Sequence, residues 1–395
     1  MTMTSPLLLP YEGPHLTLRN RIAMAPMTRN RADDATGVPN PLTAEYYAQR
    51  ATAGLIVSEG IWPAALGKGE PGVPGLTTDA QVAGWRAVTE AVHAAGGTIF
   101  AQLWHVGRMS HPLTLPGRAT PVAPSAVRIE SETIHSVEGR VPHVTPRPMT
   151  TAEVEETVTD FAAAARNAIR AGFDGVEVHG ANGYLIQQFL AENTNHRTDR
   201  YGGSRAGRLR FALDVVTAVA AEIGPGRVAL RISPDNPENE IAEQDPKGTY
   251  RALVDSLDPL GLAYLHIIER GAYEALADLR PRWSGTLIGN YNGPEPTSRQ
   301  AAEKALAAGL ADVFSFGRLF VANPDLPARF AADADLTPHI RSLLHKGGAK
   351  GYTDYPPHQD AHTHPSHHRN HATTRTPAIA SEGEAGGDDT SEART

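Results

Sequence analysis

The 395-residue chain contains no cysteine, and this absence limits its chemistry more than any other feature of its composition. It excludes disulfides, thiolate nucleophiles and cysteine-held iron–sulfur clusters, so redox chemistry would need a bound organic cofactor or a non-thiolate metal. The chain also lacks a basic excess: its formal net charge is −8, which argues against nucleic acid or an anionic membrane as a partner. It shows no apolar run of membrane-spanning length and no charged-then-apolar leader. We therefore expect a soluble, cytoplasmic protein.

What the chain does contain is an alternation of short apolar segments with longer amphipathic ones. The short segments predict eight strands, near residues 22–28, 55–60, 98–105, 175–180, 228–234, 264–269, 286–291 and 313–318. The amphipathic segments predict helices between them, for example near residues 79–95, 151–171, 207–223, 297–308 and 323–332. This alternation predicts an α/β fold, a (β/α)8 TIM barrel. A doubly wound sheet is the alternative, but no G-x-G-x-x-G follows any strand.

Three segments fall outside this alternation. Residues 5–20 are predicted to form an N-terminal hairpin, and residues 106–150, the long third βα loop, either a plain loop or a hairpin lid over the barrel mouth. Beyond the barrel come six histidines between His358 and His371 and then an acidic end. That segment has almost nothing apolar to bury, which favours a disordered tail over a metal-binding tract. We therefore predict a barrel domain over residues 1–356 and a disordered tail over 357–395.

The segment Gly175-Val-Glu-Val-His179-Gly-Ala-Asn182-Gly-Tyr184 carries the most distinctive chemistry. His179 ends a predicted strand, and Asn182 and Tyr184 follow three and five residues later, above the predicted barrel mouth. A neutral histidine and an amide can both donate hydrogen bonds to one carbonyl oxygen and so polarise it. A tyrosine has a phenolic proton to give as a general acid. By spacing alone, a structural role is the favoured interpretation of His179.

Side chains at the carboxyl ends of barrel strands converge on one site. Read in order, those ends are Thr28, Glu59-Gly60, Gln102 with Trp104, His179 with Asn182 and Tyr184, Arg231, Gly289-Asn290 and Gly317-Arg318. This set lacks a glycosidase-like carboxylate pair and a metal-ligand cluster, so no metal is expected. It is rich in hydrogen-bond donors, as a planar heterocycle with carbonyls and a phosphate would require.

The chain continues with Asn195-His-Arg197-Thr-Asp199-Arg-Tyr201-Gly-Gly-Ser204. Together, the two segments resemble the signature of the old yellow enzyme family of flavin-dependent ene-reductases, H-x-x-N-x-Y followed by N-x-R-x-D-x-Y-G-G-S. The resemblance covers roughly residues 5–356. The other matching runs are Met24-Ala-Pro-Met-Thr28, Ser58-Glu-Gly60, Ala101-Gln102-Leu-Trp104, Leu230-Arg231-Ile-Ser-Pro234, Ile288-Gly289-Asn290-Tyr291 and Asp312-Val-Phe-Ser-Phe-Gly317-Arg318.

The resemblance implies an FMN cofactor, with NADPH or NADH as the hydride donor. It implies that the Thr28 hydroxyl contacts the flavin, at a place where some members carry cysteine. It further implies that Gly60 gives the ring a close backbone approach, that the Gln102 amide reads the pyrimidine ring, and that Arg231 lies beside N1 and O2. Finally, the resemblance implies that the phosphate end of the cofactor is bound by Gly289, Asn290, Gly317 and Arg318.

The resemblance also implies the reaction. His179 and Asn182 would bind the oxygen of an activated alkene (an enone, enal, maleimide or nitroalkene), and Tyr184 would protonate its α carbon. Trp104 would wall the substrate side. The chain departs from many relatives at two pocket positions, where Glu70 and His345 stand in place of tyrosines.

Other functions and assemblies remain open at this stage. Flavin barrels of the dienoyl-CoA or trimethylamine type are an alternative, but those carry an iron–sulfur cluster on cysteines, which this chain lacks. A flavin-binding barrel without turnover, serving as a sensor or scaffold, is the alternative from another functional class. The family includes monomers and homodimers, and the sequence does not choose between them.

Overall fold

A computed structural model gives the arrangement of residues 5–270, 272–293 and 297–358. The strands are, in chain order, β1 (Tyr11–Glu12), β2 (Thr17–Leu18), β3 (Ile22–Met24), β4 (Leu55–Ile61), β5 (Ile99–Leu103), β6 (Val122–Ala123), β7 (Thr133–Ser136), β8 (Gly139–Pro142), β9 (Arg147–Pro148), β10 (Gly175–Gly180), β11 (Val228–Ile232), β12 (Tyr264–Glu269), β13 (Thr286–Tyr291) and β14 (Val313–Phe316). The α-helices are α1 (Pro41–Ala48), α2 (Asp79–Ala94), α3 (Thr151–Arg170), α4 (Leu185–Leu190), α5 (Arg205–Ile223), α6 (Pro246–Leu257), α7 (Ala275–Leu279), α8 (Arg299–Ala307), α9 (Arg318–Ala322) and α10 (Leu326–Ala332).

Eight strands close into a barrel, in the order β3-β4-β5-β10-β11-β12-β13-β14, and every pair within it is parallel. The predicted TIM barrel is therefore confirmed. Nearly all residues of these strands are buried, because the helices cover the outside of the barrel while side chains fill its inside. Because both faces of each strand are buried, the strand sequences are nearly continuous apolar runs interrupted by only a few polar residues.

The predicted strands 175–180, 264–269 and 286–291 match β10, β12 and β13, whereas others end earlier than predicted. The prediction of 22–28 is wrong at its end, since β3 stops at Met24. Pro26 follows closely, and proline has no N–H to donate to a strand ladder. Thr28 consequently lies in the loop after the strand. The predicted helix 323–332 begins only at Leu326, because Asn323 and Pro324 separate α9 from α10.

Local sequence signals set several helix starts. At the start of α3, Thr150 and Glu153 form a capping box: the Thr150 side chain accepts from the Glu153 N–H, and the Glu153 side chain accepts from the Thr150 N–H. The start of α2 is built in the same way by Thr78 and Gln81. Each box satisfies backbone donors that the first helical turn would otherwise leave unpaired.

The predicted N-terminal hairpin is confirmed as the antiparallel pair β1–β2. It packs in an apolar cluster with residues near the amino ends of the barrel strands. The Tyr11 hydroxyl lies 3.0 Å from Thr286 Oγ1 at the start of β13. The hairpin therefore covers the amino end of the barrel and leaves the carboxyl end as the open face.

The long third βα loop contains the predicted hairpin, formed by β7 and β8. The segment before it is tied to the loop after β11, since Glu240 Oε1 accepts from the backbone N–H groups of Glu130 (2.9 Å) and Ser131 (2.6 Å). A cavity at the barrel mouth is lined both by Arg140, from β8, and by Arg318, from the start of α9. These contacts place the hairpin at the barrel mouth, in agreement with a lid.

The described residues end at His358, so the predicted tail lies outside them apart from its first two residues. Across the ranges given above, no helix is long and apolar enough to cross a membrane.

Candidate active site

The carboxyl end of β10 brings together the three side chains predicted to carry the chemistry. The rings of His179 and Tyr184 lie 5.1 Å apart, edge to face, and Trp104 lies 4.9 Å from the Tyr184 ring and 6.4 Å from the His179 ring. The loop between His179 and Tyr184 turns through left-handed backbone at Asn182 (φ 55°) and Gly183 (φ 74°). This turn reverses the chain after the strand, so that the Tyr184 ring reaches the His179 ring.

The hydrogen bonds of His179 fix which ring nitrogen carries the proton. The Ala181 N–H donates to its Nδ1 at 3.2 Å, so Nδ1 is an acceptor and the proton of the neutral ring lies on Nε2. Burial, reinforced by the nearby charge of Arg231, lowers the pKa of His179 to about 3. At neutral pH the side chain is therefore an uncharged imidazole that can donate from Nε2.

Asn182 is held by its neighbours in the loop after β11. Its backbone N–H donates to Ser233 Oγ (2.8 Å), and its carbonyl accepts from Asn239 Nδ2 (2.6 Å). Its side-chain Oδ1 accepts from Asn236 Nδ2 at 3.2 Å. With the oxygen engaged in this way, the amide NH₂ of Asn182 remains available as a donor.

Tyr184 keeps its proton at neutral pH. Burial, with smaller effects of Glu238 and Glu70, raises the pKa of its phenol well above the ordinary value. A phenol in such surroundings can donate its proton to a carbon that becomes basic during a reaction, and it takes a new proton afterwards. His179, Asn182 and Tyr184 thus offer two hydrogen-bond donors and one acid.

A cavity of about 200 Å³ lies beside this cluster and is lined by five predicted site residues, Asn182, Arg231, Asn290, Gly317 and Arg318. Arg231 is buried, yet its Nε has no hydrogen-bond partner among the described residues. A buried cation without an acceptor is costly, so its presence indicates a ligand that supplies one. Asn290 is held in place because its Nδ2 donates to the carbonyl (2.9 Å) and hydroxyl (3.0 Å) of Ser315. The unsatisfied Arg231 donor fits FMN, whose flavin oxygens and phosphate can accept hydrogen bonds.

The other predicted flavin residues lie near the site but do not line that cavity. Gln102 is buried and donates from Nε2 to Glu177 Oε1 at 2.9 Å. A Cβ at Gly60 would come within 2.3 Å of the Trp104 ring, and one at Gly289 within 2.7 Å of the Phe314 ring. Aromatic packing therefore already requires glycine at both positions. Thr28 lies half-buried in the loop after β3.

The two departures from the family pattern, Glu70 and His345, are joined by Asn30. Asn30 Nδ2 donates to Glu70 Oε2 at 3.0 Å, and its Oδ1 lies 3.2 Å from His345 Nδ1. His345 is exposed and lines a wide mouth cavity of about 850 Å³. Asn30 could not be predicted from the sequence, because its partners are far away along the chain.

A buried polar network beneath the site was not predicted from the sequence. Glu177, His266 and Ser315 are fully buried and hydrogen-bonded in series. The signal was present in β12, where Tyr264 and His266 alternate with apolar residues and so share the inner face. In the part of the chain that the structure describes, no group of three or more histidine or acidic residues is placed to hold a metal ion.

The lowered pKa of His179 predicts an acid-dependent loss of stability. In the unfolded chain the imidazole of His179 has a pKa near 6.5, whereas in the folded protein its pKa is about 3. Between these two values only the unfolded state binds the proton, so the free energy of unfolding falls as the pH is lowered from 6.5 to 3. In His179→Asn the slope between pH 6 and 4 should be smaller by up to about 1.4 kcal/mol per pH unit. Urea unfolding at several pH values measures this. His196→Asn, at an exposed position, is the control and should keep the wild-type slope; equal slopes for His179→Asn would contradict the expectation.

Comparison with known proteins places the chain in a wider context. The family model described as the NADH:flavin oxidoreductase / NADH oxidase family matches residues 7–336. The chain is 42% identical over 376 residues to 12-oxophytodienoate reductase 7 of Oryza sativa subsp. japonica, covering 89% of this chain and 94% of that protein. The structure of the old yellow enzyme homologue from Zymomonas mobilis matches with a TM-score of 0.85 at 40% identity, covering 89% of this chain and 99% of that one. Morphinone reductase in complex with tetrahydroNAD matches with a TM-score of 0.86 at 44% identity, covering 92% and 100%. The matched residues of the family model include all eight barrel strands.

Proposed function

Since the chain belongs to the NADH:flavin oxidoreductase / NADH oxidase family, as an FMN-dependent oxidoreductase of the old yellow enzyme type, we propose that it is an ene-reductase acting on activated alkenes. The observation that carries this proposal is the set of donors at the carboxyl end of β10: the Nε2–H of His179, the amide of Asn182 and the phenol of Tyr184. Binding a flavin alone would require none of the three.

When bound, FMN supplies the two-electron chemistry, taking hydride from NADPH or NADH and giving it to the β carbon of the alkene. We propose that Arg231, Asn290, Gly317 and Arg318 hold the cofactor from the cavity they line, with Gln102, Thr28, Gly60 and Gly289 completing its site. The fixed charge of Arg231 favours an anionic form of the cofactor.

The protein's own residues then divide the remaining work. His179 and Asn182 donate hydrogen bonds to the electron-withdrawing oxygen of the alkene and so draw electron density away from its β carbon. Tyr184 delivers a proton to the α carbon. His179 suits this role because it is neutral: its Nε2–H remains a donor without the charge that an imidazolium would add. Trp104 bounds the substrate space on one side.

We propose that the substrate meets a more polar pocket rim than in relatives with tyrosines at the two departing positions. Glu70 and His345 are joined through Asn30, which ties the loop after β4 to the C-terminal segment. The rim therefore offers a carboxylate and an imidazole where a phenol would stand, and this favours alkenes that carry polar groups away from the double bond.

An anaerobic visible absorption spectrum of the purified protein tests the proposal. We expect flavin bands that bleach on addition of NADPH or NADH and return on addition of cyclohexenone. Bands that bleach and do not return with any of the four alkene classes would retain the flavoprotein and discard the ene-reductase, favouring the sensor or scaffold. A protein that cannot be loaded with FMN would overturn the proposal altogether.

A further inference from the structure

The carboxylate of Glu177 lies in the interior of the barrel, directly below the proposed flavin site. It is fully buried in the middle of β10, two residues before His179 and on the same face of the strand. Its Oε1 accepts from Gln102 Nε2 at 2.9 Å, and its Oε2 lies 3.1 Å from the Tyr264 hydroxyl and 2.8 Å from His266 Nδ1. Burial raises the pKa of Glu177, but the interaction with His266, the charge of Arg231 and the hydrogen bond from Gln102 outweigh burial, and the pKa lies below its ordinary value. The group is therefore an ionised carboxylate.

The ionised state of Glu177 determines the orientation of its partners. A carboxylate has no proton to give, so His266 must carry its own proton on Nδ1. Burial lowers the pKa of His266, so at neutral pH its ring is uncharged and Nε2 accepts from the Ser315 hydroxyl at 2.8 Å. Ser315 Oγ in turn accepts from Asn290 Nδ2 at 3.0 Å. One hydrogen-bonded series thus runs from Gln102 through the carboxylate to Asn290 and joins β5, β10, β12, β14 and β13.

Both ends of this series are side-chain amides that the proposed function assigns to FMN. Because Gln102 donates to Glu177 from Nε2, its carbonyl oxygen is directed away from the carboxylate. Because Asn290 donates to Ser315 from Nδ2, its own oxygen is likewise turned elsewhere. An amide that could rotate would offer a ligand either a donor or an acceptor, whereas these two are each held in one orientation.

Glu177 also acts on Arg231 through space. No hydrogen bond joins the Arg231 guanidinium to any described residue, yet Glu177 is the carboxylate whose negative charge most favours the charged form of this arginine. The two groups lie on neighbouring strands, since His179 is in register with Arg231 and Glu177 with Ala229. Part of the positive charge that Arg231 presents to the cavity is therefore offset from below.

We propose that Glu177 is a positioning residue for the flavin, which holds the amides of Gln102 and Asn290 in one orientation and sets the reduction potential by offsetting the charge of Arg231. This inference rests on the proposed function for the placement of FMN. A negative charge below the cofactor disfavours the electron-rich reduced form, so removing the charge while keeping the hydrogen bonds should make bound FMN easier to reduce.

Glu177→Gln is the variant that tests the charge. Its new carboxamide oxygen can accept from Gln102, and its NH₂ can donate to His266 Nδ1 once the histidine proton has moved to Nε2. We expect a shift of the midpoint potential of bound FMN to a more positive value, measured by anaerobic titration against a redox dye. Asp312→Asn is the matched control, because this carboxylate pairs with Arg280 and accepts from the Leu287 N–H at the opposite end of the barrel; its potential should equal that of the wild type.

A second variant and a second measurement keep the proposal testable if Glu177→Gln does not fold. Tyr264→Phe retains the charge but removes one donor from the carboxylate, so the potential should shift to a more negative value. Nitrogen-15 NMR reads the tautomer of His266 with or without FMN: the proton should be on Nδ1 in the wild type and on Nε2 in Glu177→Gln.

Several results would overturn the proposal. These are a folded Glu177→Gln with the wild-type potential, an equal shift in Asp312→Asn, an unchanged or more positive potential in Tyr264→Phe, or a wild-type His266 protonated on Nε2. Wild-type protein that binds FMN but does not reduce enones would instead contradict the proposed function, and the comparison of potentials would still be measurable.

Discussion

Replacing Tyr184 with phenylalanine should slow alkene reduction by about 10²- to 10⁴-fold, the usual contribution of a positioned general acid, while reduction of the flavin by NADPH or NADH stays close to wild type. The substitution removes only the hydroxyl. The phenylalanine ring can keep the edge-to-face contacts with Trp104 at 4.9 Å and with His179 at 5.1 Å, so the shape of the pocket is preserved. The proton is lost, and burial had kept that proton on the phenol at neutral pH by raising its pKa.

Stopped-flow absorption separates the two half-reactions of this experiment. The first follows bleaching of the flavin by NADPH, and the second follows its reoxidation by cyclohexenone. Tyr273→Phe is the control, since that phenol is bonded to Asp278 beyond the end of β12 and both of its half-reactions should match the wild type. An unchanged second half-reaction in Tyr184→Phe would remove Tyr184 as the acid. A loss in both half-reactions would mean that the substitution had damaged the pocket.

The parts of this protein that could be predicted from sequence are those set by local periodicity. The strand β10 was predicted from its short apolar run, and the structure brings His179 and Tyr184 together at its carboxyl end as expected. Strand ends were predicted less well, because a proline such as Pro26 stops hydrogen bonding where apolar residues alone would have let the strand continue. The roles assigned to these residues came from a family resemblance and remain proposals.

The parts that could not be predicted depend on pairing between distant strands. Glu177 and His266 are 89 residues apart, and Glu177 and Gln102 are 75 apart. Their spacing along the chain does not predict that these three side chains are in contact. The contact depends on the register in which the barrel strands pair. Gly60 shows the same limit. Its glycine was assigned to an approaching cofactor, while the structure shows that Trp104 fills the space where a side chain would stand.

Removing the guanidinium of Arg231 should weaken FMN binding without destabilising the FMN-free protein. In Arg231→Met, we expect the dissociation constant of FMN to rise by about ten- to a hundredfold, as the loss of charge-assisted hydrogen bonds worth about 1.5–3 kcal/mol would give. We also expect the thermal unfolding midpoint of the FMN-free protein to be no lower than that of the wild type. Flavin fluorescence titration and thermal unfolding of the FMN-free protein measure the two quantities.

The second expectation follows from the arginine's surroundings. Burial lowers the pKa of Arg231, and its Nε lacks a partner among the described residues, so without a ligand the charge is desolvated with little return. Glu177 would lose a favourable charge in the variant but would keep its three hydrogen-bond donors. Arg282→Met, which removes an exposed ion pair with Asp255, is the control and should leave the affinity for FMN unchanged. An Arg231→Met variant that is less stable than the wild type without FMN, yet binds FMN with unchanged affinity, would show that the arginine is structural. A cation held for a ligand has the opposite effect: it destabilises the FMN-free protein and stabilises the complex.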